Sequence, residues 1–201
     1  MRKISNKKKK ALRQKRNNFI LSVVLIIIML GSTFGVIINS FGKKSSYEEI
    51  QYNGFLFYKN NNYWFTNIND MVFIFKYNPI EITENIINGK FMELSEYKNK
   101  PLYIYSENEE ATLEIRRNLE DIVQRIQFAC PENNLTANAK CDESWPIKSC
   151  DDNFIIILNN NEQLINQNNK CTFIINSEDN LVKTADEFLF NILNIRSWLF
   201  Y

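Results

Sequence analysis

The longest hydrophobic block of the sequence covers residues 19–41 and contains no charged side chain. As an α-helix, residues 19–38 would extend about 30 Å, which is the thickness of the hydrocarbon core of a bilayer. The hydroxyl groups of Ser22, Ser32 and Thr33 can bond back to the helix backbone. A cleaved signal peptide has a shorter apolar region of about 7–15 residues that ends at a small-residue site. The pattern therefore predicts a transmembrane signal-anchor helix over residues 19–41.

The charges on either side of this block predict its direction in the membrane. Residues 1–18 carry nine Lys or Arg and no acidic residue, whereas only Lys43 and Lys44 follow the block closely. Because clustered basic residues stay in the cytoplasm, we expect a cytoplasmic tail over residues 1–18 and a cell-membrane protein with residues 42–201 outside. The tail adjoins the membrane, which favours binding to anionic lipid head groups over binding to nucleic acid.

The outer segment begins with aromatic stretches separated by Asn-rich turns. Residues 55–58, 63–66 and 71–77 are rich in Phe and Tyr, and turn-forming residues lie between them. They predict a three-stranded meander. Its strands are apolar at consecutive positions, so we expect both faces of this sheet to be covered.

The rest of the outer segment combines further strands with two amphipathic helices. The first predicted elements are one or two helical turns over 81–88, a strand over 101–105, and a helix over 109–128 after the capping box Ser106–Glu109. A second meander follows, with strands over 153–158, 162–167 and 171–175, and then a helix over 178–194. This order predicts the α+β class. We expect one domain over residues 42–201, in which two amphipathic helices cover mainly antiparallel strands.

All four cysteines, Cys130, Cys141, Cys150 and Cys171, lie in the outer segment. An even number of cysteines in an oxidising compartment predicts two disulfides. Zinc is disfavoured because the chain has no His and no C-x2-C pair. Cys130 ends the first long helix and Cys141 follows in a loop, whereas Cys150 and Cys171 stand where the outer strands of the second meander begin. We therefore predict the pairs Cys130–Cys141 and Cys150–Cys171.

Residues 128–195 contain three stretches with a familiar pattern: Trp145-Pro146-Ile147-Lys148-Ser149-Cys150, Asn169-Lys170-Cys171-Thr172-Phe173-Ile174, and Asp186-Glu187-Phe188-Leu189-Phe190-Asn191-Ile192-Leu193. This region resembles a group of uncharacterised single-pass membrane proteins of small-genome archaea. Those proteins usually carry Gly at the position of Asn194. The resemblance implies an anchored α+β domain with disulfides, and it implies no activity.

The sequence contains few candidates for catalysis. The absence of His excludes Ser-His-Asp and Cys-His machineries, and neither a phosphate-binding glycine loop nor a G-x-S-x-G elbow is present. We therefore expect no cofactor and no metal, and we name no catalytic residue. Adjacent acidic residues occur at Glu48-Glu49, Glu109-Glu110, Glu120-Asp121, Asp142-Glu143, Asp151-Asp152, Glu178-Asp179 and Asp186-Glu187.

We interpret these doublets as a solvated acidic surface, since adjacent carboxylates on a helix point about 100° apart. Asp142-Glu143 and Asp151-Asp152 lie in the expected disulfide loops. There they leave calcium binding open, although the sequence has no Asp-x-Asp-x-Asp-Gly spacing.

Two short motifs bear on assembly and modification. Gly31 and Gly35 form a G-x-x-x-G pattern in the apolar block, which allows close packing of two helices and leaves a homodimer open. Asn134 begins an N-x-T pattern in the loop between the first two cysteines. The pattern is either a site of N-glycosylation or a chance match in an Asn-rich chain.

These features together predict a membrane-anchored extracytoplasmic domain that binds or assembles with another surface protein and has no identifiable catalytic site. The alternatives are a carboxylate-dependent extracytoplasmic hydrolase and a pilin-like surface subunit. A cleft with two facing carboxylates would favour the hydrolase, whereas a flat apolar patch would favour the binding domain.

Overall fold

The computed structural model describes residues 13–29, 48–82, 86–133, 135–136 and 139–196, and the chain divides into two units, residues 1–46 and 47–201. In the first unit, residues 13–29 form helix α1, on which the Ser22 hydroxyl donates to the Asn18 carbonyl at 3.0 Å. Over the described residues, no helix combines the length and apolar composition of a membrane span. Residues 30–41 of the expected anchor lie outside the described residues, so the anchor stays a prediction.

The second unit begins with an antiparallel sheet. Within residues 48–82, four strands pair in chain order: β1 (Glu49–Tyr52), β2 (Phe55–Asn60), β3 (Tyr63–Ile68) and β4 (Met71–Phe75). The turns Asn53-Gly54 and Asn69-Asp70 have positive φ at both residues, which Asn, Asp and Gly tolerate and which tight hairpins require. The predicted meander is present, and β1 is an additional edge strand.

The second sheet is mixed and mostly parallel. The later strands are β5 (Ile86–Asn88), β6 (Pro101–Ser106), β7 (Arg125–Phe128), β8 (Cys130–Pro131), β9 (Ile147–Lys148), β10 (Phe154–Asn159), β11 (Leu164–Asn168) and β12 (Cys171–Asn176). Six of them form a sheet in the order β5-β11-β12-β10-β6-β7, and β8 pairs with β9. Within these described strands, β11 and β12 form the antiparallel pair and the other pairs are parallel.

The α+β class is therefore confirmed, but the expectation of mainly antiparallel strands is wrong for the second sheet. The predicted second meander fails because β12 lies between β10 and β11, so that Phe154 pairs directly with Cys171. The physical reason is burial. Residues 154–157 of β10 are fully buried, and a strand apolar on both faces belongs inside a sheet with both faces covered. The more polar β11 takes a position further out.

The helices of this unit are α2 (Leu94–Tyr97), α3 (Glu109–Leu119) and α4 (Leu181–Ile192), the last preceded by a 3-10 turn over Glu178–Asn180. The predicted helix over 109–128 is too long. After α3, the Gln124 amide donates to the Lys100 carbonyl and the chain joins the sheet as β7. Asn108 replaces the expected capping box, since its side chain accepts from the Ala111 amide at 2.8 Å. The helical turns expected over 81–88 are also wrong, because Ile86–Asn88 is a strand.

Helix α4 ends at a left-handed residue. Asn194 has φ of 56°, and the Ile195 amide donates to the Phe190 carbonyl at 2.9 Å. This is the Schellman arrangement, in which Gly or Asn occupies the left-handed position. Asn194 therefore adopts the left-handed conformation that Gly or Asn favours at the end of a helix.

The helices lie between the two sheets. Phe190 of α4 packs against Phe75 and Phe57 of the first sheet, with ring centroids 4.6 Å and 6.0 Å away. The same core cluster includes Ile155 and Ile174 of the second sheet. Nearly every residue of α4 is buried, so α4 is enclosed on all sides, whereas the sequence predicted an apolar stripe with a polar face.

Helix α3 also closes the edge of β4. The Asn118 side chain accepts from the Ile74 amide at 2.8 Å and donates to the Ile74 carbonyl at 2.7 Å. Since an unpaired strand edge invites association with other chains, this clamp leaves β1 as the edge of the first sheet where a further strand has room to pair.

Candidate functional site

Disulfide bonding, predicted from the cysteine count, is present in the structure. Cys130 is joined to Cys141 with a Cα–Cα distance of 5.6 Å, and Cys150 is joined to Cys171 with a Cα–Cα distance of 4.8 Å. These are the expected pairs. The Cα atoms of Cys150 and Cys171 lie close together because β10 and β12 are direct neighbours, with no strand between them.

The disulfide-bonded segment covers the face of the second sheet that points away from the helices. Trp145 and Leu135 pack there on a small second core that includes Tyr103 and Tyr105. Arg125 donates to the Tyr103 hydroxyl at 3.2 Å, and the Lys148 ammonium lies 4.2 Å from the Tyr103 ring centroid. The hydrogen bond from Arg125 is the main cause that lowers the pKa of Tyr103. These contacts fix the segment to the sheet.

The two glycines of the G-x-x-x-G motif and the Asn of the glycosylation motif lie outside the described residues; they are Gly31, Gly35 and Asn134. Homodimerisation through the glycine motif and glycosylation at Asn134 therefore stay predictions.

The acidic doublets occupy different environments. Asp142 and Asp152, from the two doublets considered for calcium, have local partners. Ser144 donates to Asp142 and lowers its pKa, and Lys148 pairs with Asp152 at 3.2 Å. Among the described residues, no group of three or more Cys, Asp or Glu side chains is arranged to hold a metal ion. Asp186-Glu187 departs from the predicted solvated surface, because both side chains are fully buried on α4.

Asp186 forms a buried acid pair with Glu114 of α3. Asp186 is 0% exposed and Glu114 is 3% exposed. The Tyr77 amide donates to Asp186 Oδ2 at 2.9 Å, and Arg117 donates to Glu114 Oε1 at 2.9 Å. The other oxygens, Asp186 Oδ1 and Glu114 Oε2, accept no hydrogen bond from a donor among the described residues. The two carboxyl groups are close enough for the negative charge of Glu114 to raise the pKa of Asp186.

Two buried carboxyl groups in proximity are disfavoured when both are negatively charged, which favours a proton on one of them. Burial raises the pKa of Asp186 well above its usual value, and the charge of Glu114 raises it further. Burial also raises the pKa of Glu114, but Arg117 opposes this shift. The arrangement therefore places the proton on Asp186 and the negative charge on Glu114, beside Arg117.

The helical spacing of the sequence indicates that Glu114 and Asp186 are buried, which adjacency of acidic residues alone does not. Glu114 follows Ala111 by three residues and precedes Asn118 by four, so it lies on the buried face of α3. Asp186 similarly follows the buried Val182 by four residues. A carboxylate at a core position of a helix indicates a buried partner, but the sequence does not identify which one.

An acidic cleft lies at the beginnings of these two helices. Its volume is about 430 Å³, and its lining residues are Tyr77, Glu107, Asn108, Glu109, Glu110, Glu178, Asp179 and Val182. Carboxylates are favourable near helix N-termini, because the helix dipole is positive there. The cleft is therefore explained by helix capping and by solvation of the acidic doublets.

The neighbouring Glu187 has a different partner from Asp186. Its Oε1 lies 2.7 Å from Arg196 Nη1, and the Arg196 guanidinium also donates to the carbonyls of Pro79 and Ile82 at 3.0 and 3.1 Å. This buried ion pair joins the end of α4 to the chain segment after β4. It confirms that adjacent carboxylates on a helix point to different surroundings.

An exposed apolar surface lies on the first sheet. Alternate residues of its strands point inward, where Phe57, Trp64 and Phe73 are buried. The opposite set includes the polar residues Gln51 and Asn67, and Asn67 pairs with Val72. We call its five apolar members the outer face: Leu56, Tyr58, Phe65, Val72 and Ile74.

The outer face is open in the described part of the chain. Leu56 and Val72 are 55% and 56% exposed, and neither core cluster includes any outer-face residue. Tyr58 and Phe65 stack on each other with ring centroids 5.5 Å apart. Within the described residues, the expectation that both faces of the meander are covered is not met. Helix α3 runs along the β4 edge, where Asn118 pairs with Ile74 and Arg117 lies over the Tyr63 ring, and it leaves Leu56 and Val72 exposed.

The outer face and the acid pair are two features of the described residues that bear on function. One is an accessible apolar surface, and the other is a pair of carboxyl groups closed off from solvent. Comparison with models of known families, with curated proteins and with solved structures finds no match to this chain, so the resemblance to archaeal membrane proteins stays a prediction.

Proposed function

We propose that this protein is a non-catalytic, membrane-anchored extracytoplasmic domain that binds or assembles with another protein through its outer face. The observation that carries this proposal is the exposure of Leu56 and Val72 beside three further apolar side chains on a regular sheet. Exposed apolar patches of this kind mark interaction sites on soluble domains.

The energetics support a covered outer face. Removing apolar surface from water is favourable by about 25 cal/mol per Å², and a flat sheet with aromatic residues presents such surface without much loss of side-chain entropy. The disulfides support an oxidising location. The uncharged block at residues 19–41 supports the anchor, and the basic residues before it support an external domain and lipid contacts of the tail.

The hydrolase alternative has weaker support. Glu114 and Asp186 are 3% and 0% exposed, so a substrate would reach both carboxyl groups only if the helices separated. The pilin-like alternative depends on the sequence outline of basic leader, apolar helix and disulfide-bearing domain.

A protease experiment tests the location of the domain. We expect that protease added to intact cells without their wall digests residues 42–201 and spares the basic tail. A domain that resists digestion in intact cells, but is digested after the membrane is opened, would contradict the proposed topology.

Photo-crosslinking tests the binding surface. The full chain carries benzoylphenylalanine at Val72 on the outer face or, as the matched control, at Leu113, which is 46% exposed on α3. After irradiation of intact cells, we expect protein adducts from Val72 in clear excess over those from Leu113. Equal or absent protein adducts at the two positions would refute binding through the outer face.

A further inference from the structure

We infer that the outer face binds the outer face of a second copy of this chain, and that a two-fold axis parallel to the strands relates the two copies. This inference rests on the proposed function, because it requires an anchored domain that binds through this face. It adds the identity of the partner and the geometry of the complex.

The strand order makes the outer face compatible with itself. Glu49, Tyr58, Phe65 and Ile74 form one row across β1, β2, β3 and β4. A two-fold axis that runs along the strands between β2 and β3 brings β1 of one copy over β4 of the other, and β2 over β3. The two faces then pack as an aligned sandwich, with sheets about 10 Å apart and strands inclined by about 30°.

The aromatic residues occupy the centre of this arrangement. Tyr58 and Phe65 lie on the two middle strands and are already stacked, with an interplanar angle of 15°. The axis passes between them, so each copy contributes one such stack to the middle of the interface. Aromatic residues at the centre, with polar groups at the rim, are the usual anatomy of a protein interface.

The charges at the rim are complementary under the same symmetry. Glu49 is exposed on β1 at one edge of the sheet, and Lys76 follows β4 at the other edge, where its ammonium lies 5.3 Å from the Tyr63 ring centroid. The axis places Glu49 of each copy near Lys76 of the other, one row along the strand. The complex would thus contain this opposite-charge pair twice, whereas a face with like charges at both edges would repel its copy.

The membrane anchor favours a two-fold axis along the strands over one that runs across them. The chain enters the sheet at the start of β1, after residues 42–48 that follow the apolar block. An axis along the strands keeps the starts of both β1 strands at the same end of the pair, as two anchors in one membrane require. An axis across the strands would put them at opposite ends. The Gly31 and Gly35 pattern in the apolar block independently favours a helix pair.

The size of the face indicates that the anchor is needed. Four strands about 4.8 Å apart and three rows of outward residues give a footprint of about 400 Å², compared with about 800 Å² per partner in a standard interface. Such a contact is weak between free domains. Anchoring both copies in one membrane raises their effective concentration, so we expect the dimer in membranes.

Photo-crosslinking of the purified full chain in liposomes tests this inference. Benzoylphenylalanine replaces Phe65 near the axis or, in the control, Leu113. We expect an adduct of twice the chain mass from position 65 alone, with the cross-link mapped by mass spectrometry to the peptide that contains Tyr58. An adduct to lipid alone, no adduct, or equal dimer yields from both positions would overturn the inference.

A charge exchange tests the axis. Glu49→Lys or Lys76→Glu alone should lower the yield of cross-linked dimer about threefold or more, because each change creates like charges at both rims. The double variant should restore the yield to within about twofold of the original. Equal yields in all four chains, or no recovery in the double variant, would exclude the proposed axis.

The experiments separate failure of this inference from failure of the proposed function. If Val72 yields protein adducts in cells but position 65 yields no dimer in liposomes, the binding surface is right and its partner is a different protein. If neither position yields a protein adduct, both proposals fail.

Discussion

Replacement of Asp186 by Asn should change how the stability of the domain depends on pH. Asp186 is fully buried, and its pKa is raised by burial and by the negative charge of Glu114. The folded domain therefore holds a proton that the unfolded chain releases above about pH 4. Asn has nearly the same shape and keeps an oxygen that accepts from the Tyr77 amide, and it carries no titrating proton.

The sign and size of the effect follow from proton linkage. Because the folded pKa exceeds the unfolded value, the contribution of protonated Asp186 is fully present below the unfolded pKa. It is lost as the pH rises through the folded pKa. Between these two values the free energy of unfolding falls by about 1.4 kcal/mol for each pH unit. The raised pKa of Glu114 acts in the same direction.

Urea unfolding of residues 47–201 at a series of pH values from about 5 upward measures this effect. We expect the Asp186→Asn variant to gain on the original domain by about 1.4 kcal/mol per pH unit until the folded pKa of Asp186 is passed. Asp179→Asn is the matched control, since Asp179 is exposed in the 3-10 turn before the same helix. Stability curves of the original domain and the Asp186→Asn variant that run parallel would refute a buried proton at this position.

Further predictions concern the contacts that hold the domain together. Asn118→Ala should lower the free energy of unfolding by about 2–4 kcal/mol, because it leaves two backbone groups of the β4 edge unpaired. The same change at the exposed Asn67 should have little effect, and equal losses would contradict the clamp. Arg196→Met should lower the free energy of unfolding by about 3–5 kcal/mol by removing the guanidinium that pairs with the buried Glu187 carboxylate, whereas adding Glu187→Leu should recover most of the loss. If the second change does not recover the stability, loss of the ion pair is not the cause of the destabilisation. Replacing both cysteines of the pair Cys150–Cys171 by Ala should cost about 3 kcal/mol in denaturant unfolding, from the loop of 21 residues that the bond closes. An unchanged denaturant midpoint of unfolding would contradict a stabilising effect of this disulfide bond.

The elements that the sequence predicts best are those bounded by strong local signals. The strands of the first sheet are separated by Asn-rich turns, and Asn53, Asn61 and Asn69 all have positive φ in the structure. The helix after residue 108 was placed correctly at its start but extended too far. Ile122, Val123 and Ile126 fit helical spacing and also fit a turn followed by an edge strand, so periodicity alone does not distinguish the two.

Long-range order is harder to predict than local structure. The insertion of β12 between β10 and β11 depends on which strands bury both faces, and that is decided by the helices and by the disulfide segment together. For the same reason, apolar residues on both faces of the meander suggested full coverage. The sequence contains no local signal that α3 follows the β4 edge and leaves Val72 open to solvent.

The outer face should be covered when the protein is in its membrane. Hydroxyl-radical footprinting of the full chain compares labelling in the native membrane with labelling of the detergent-solubilised monomer. We expect protection of Leu56, Tyr58, Phe65, Val72 and Ile74 in the membrane, with unchanged labelling of Leu113 and Ile147, which are exposed elsewhere on the domain. Equal labelling of the outer face in both states would show that nothing binds there.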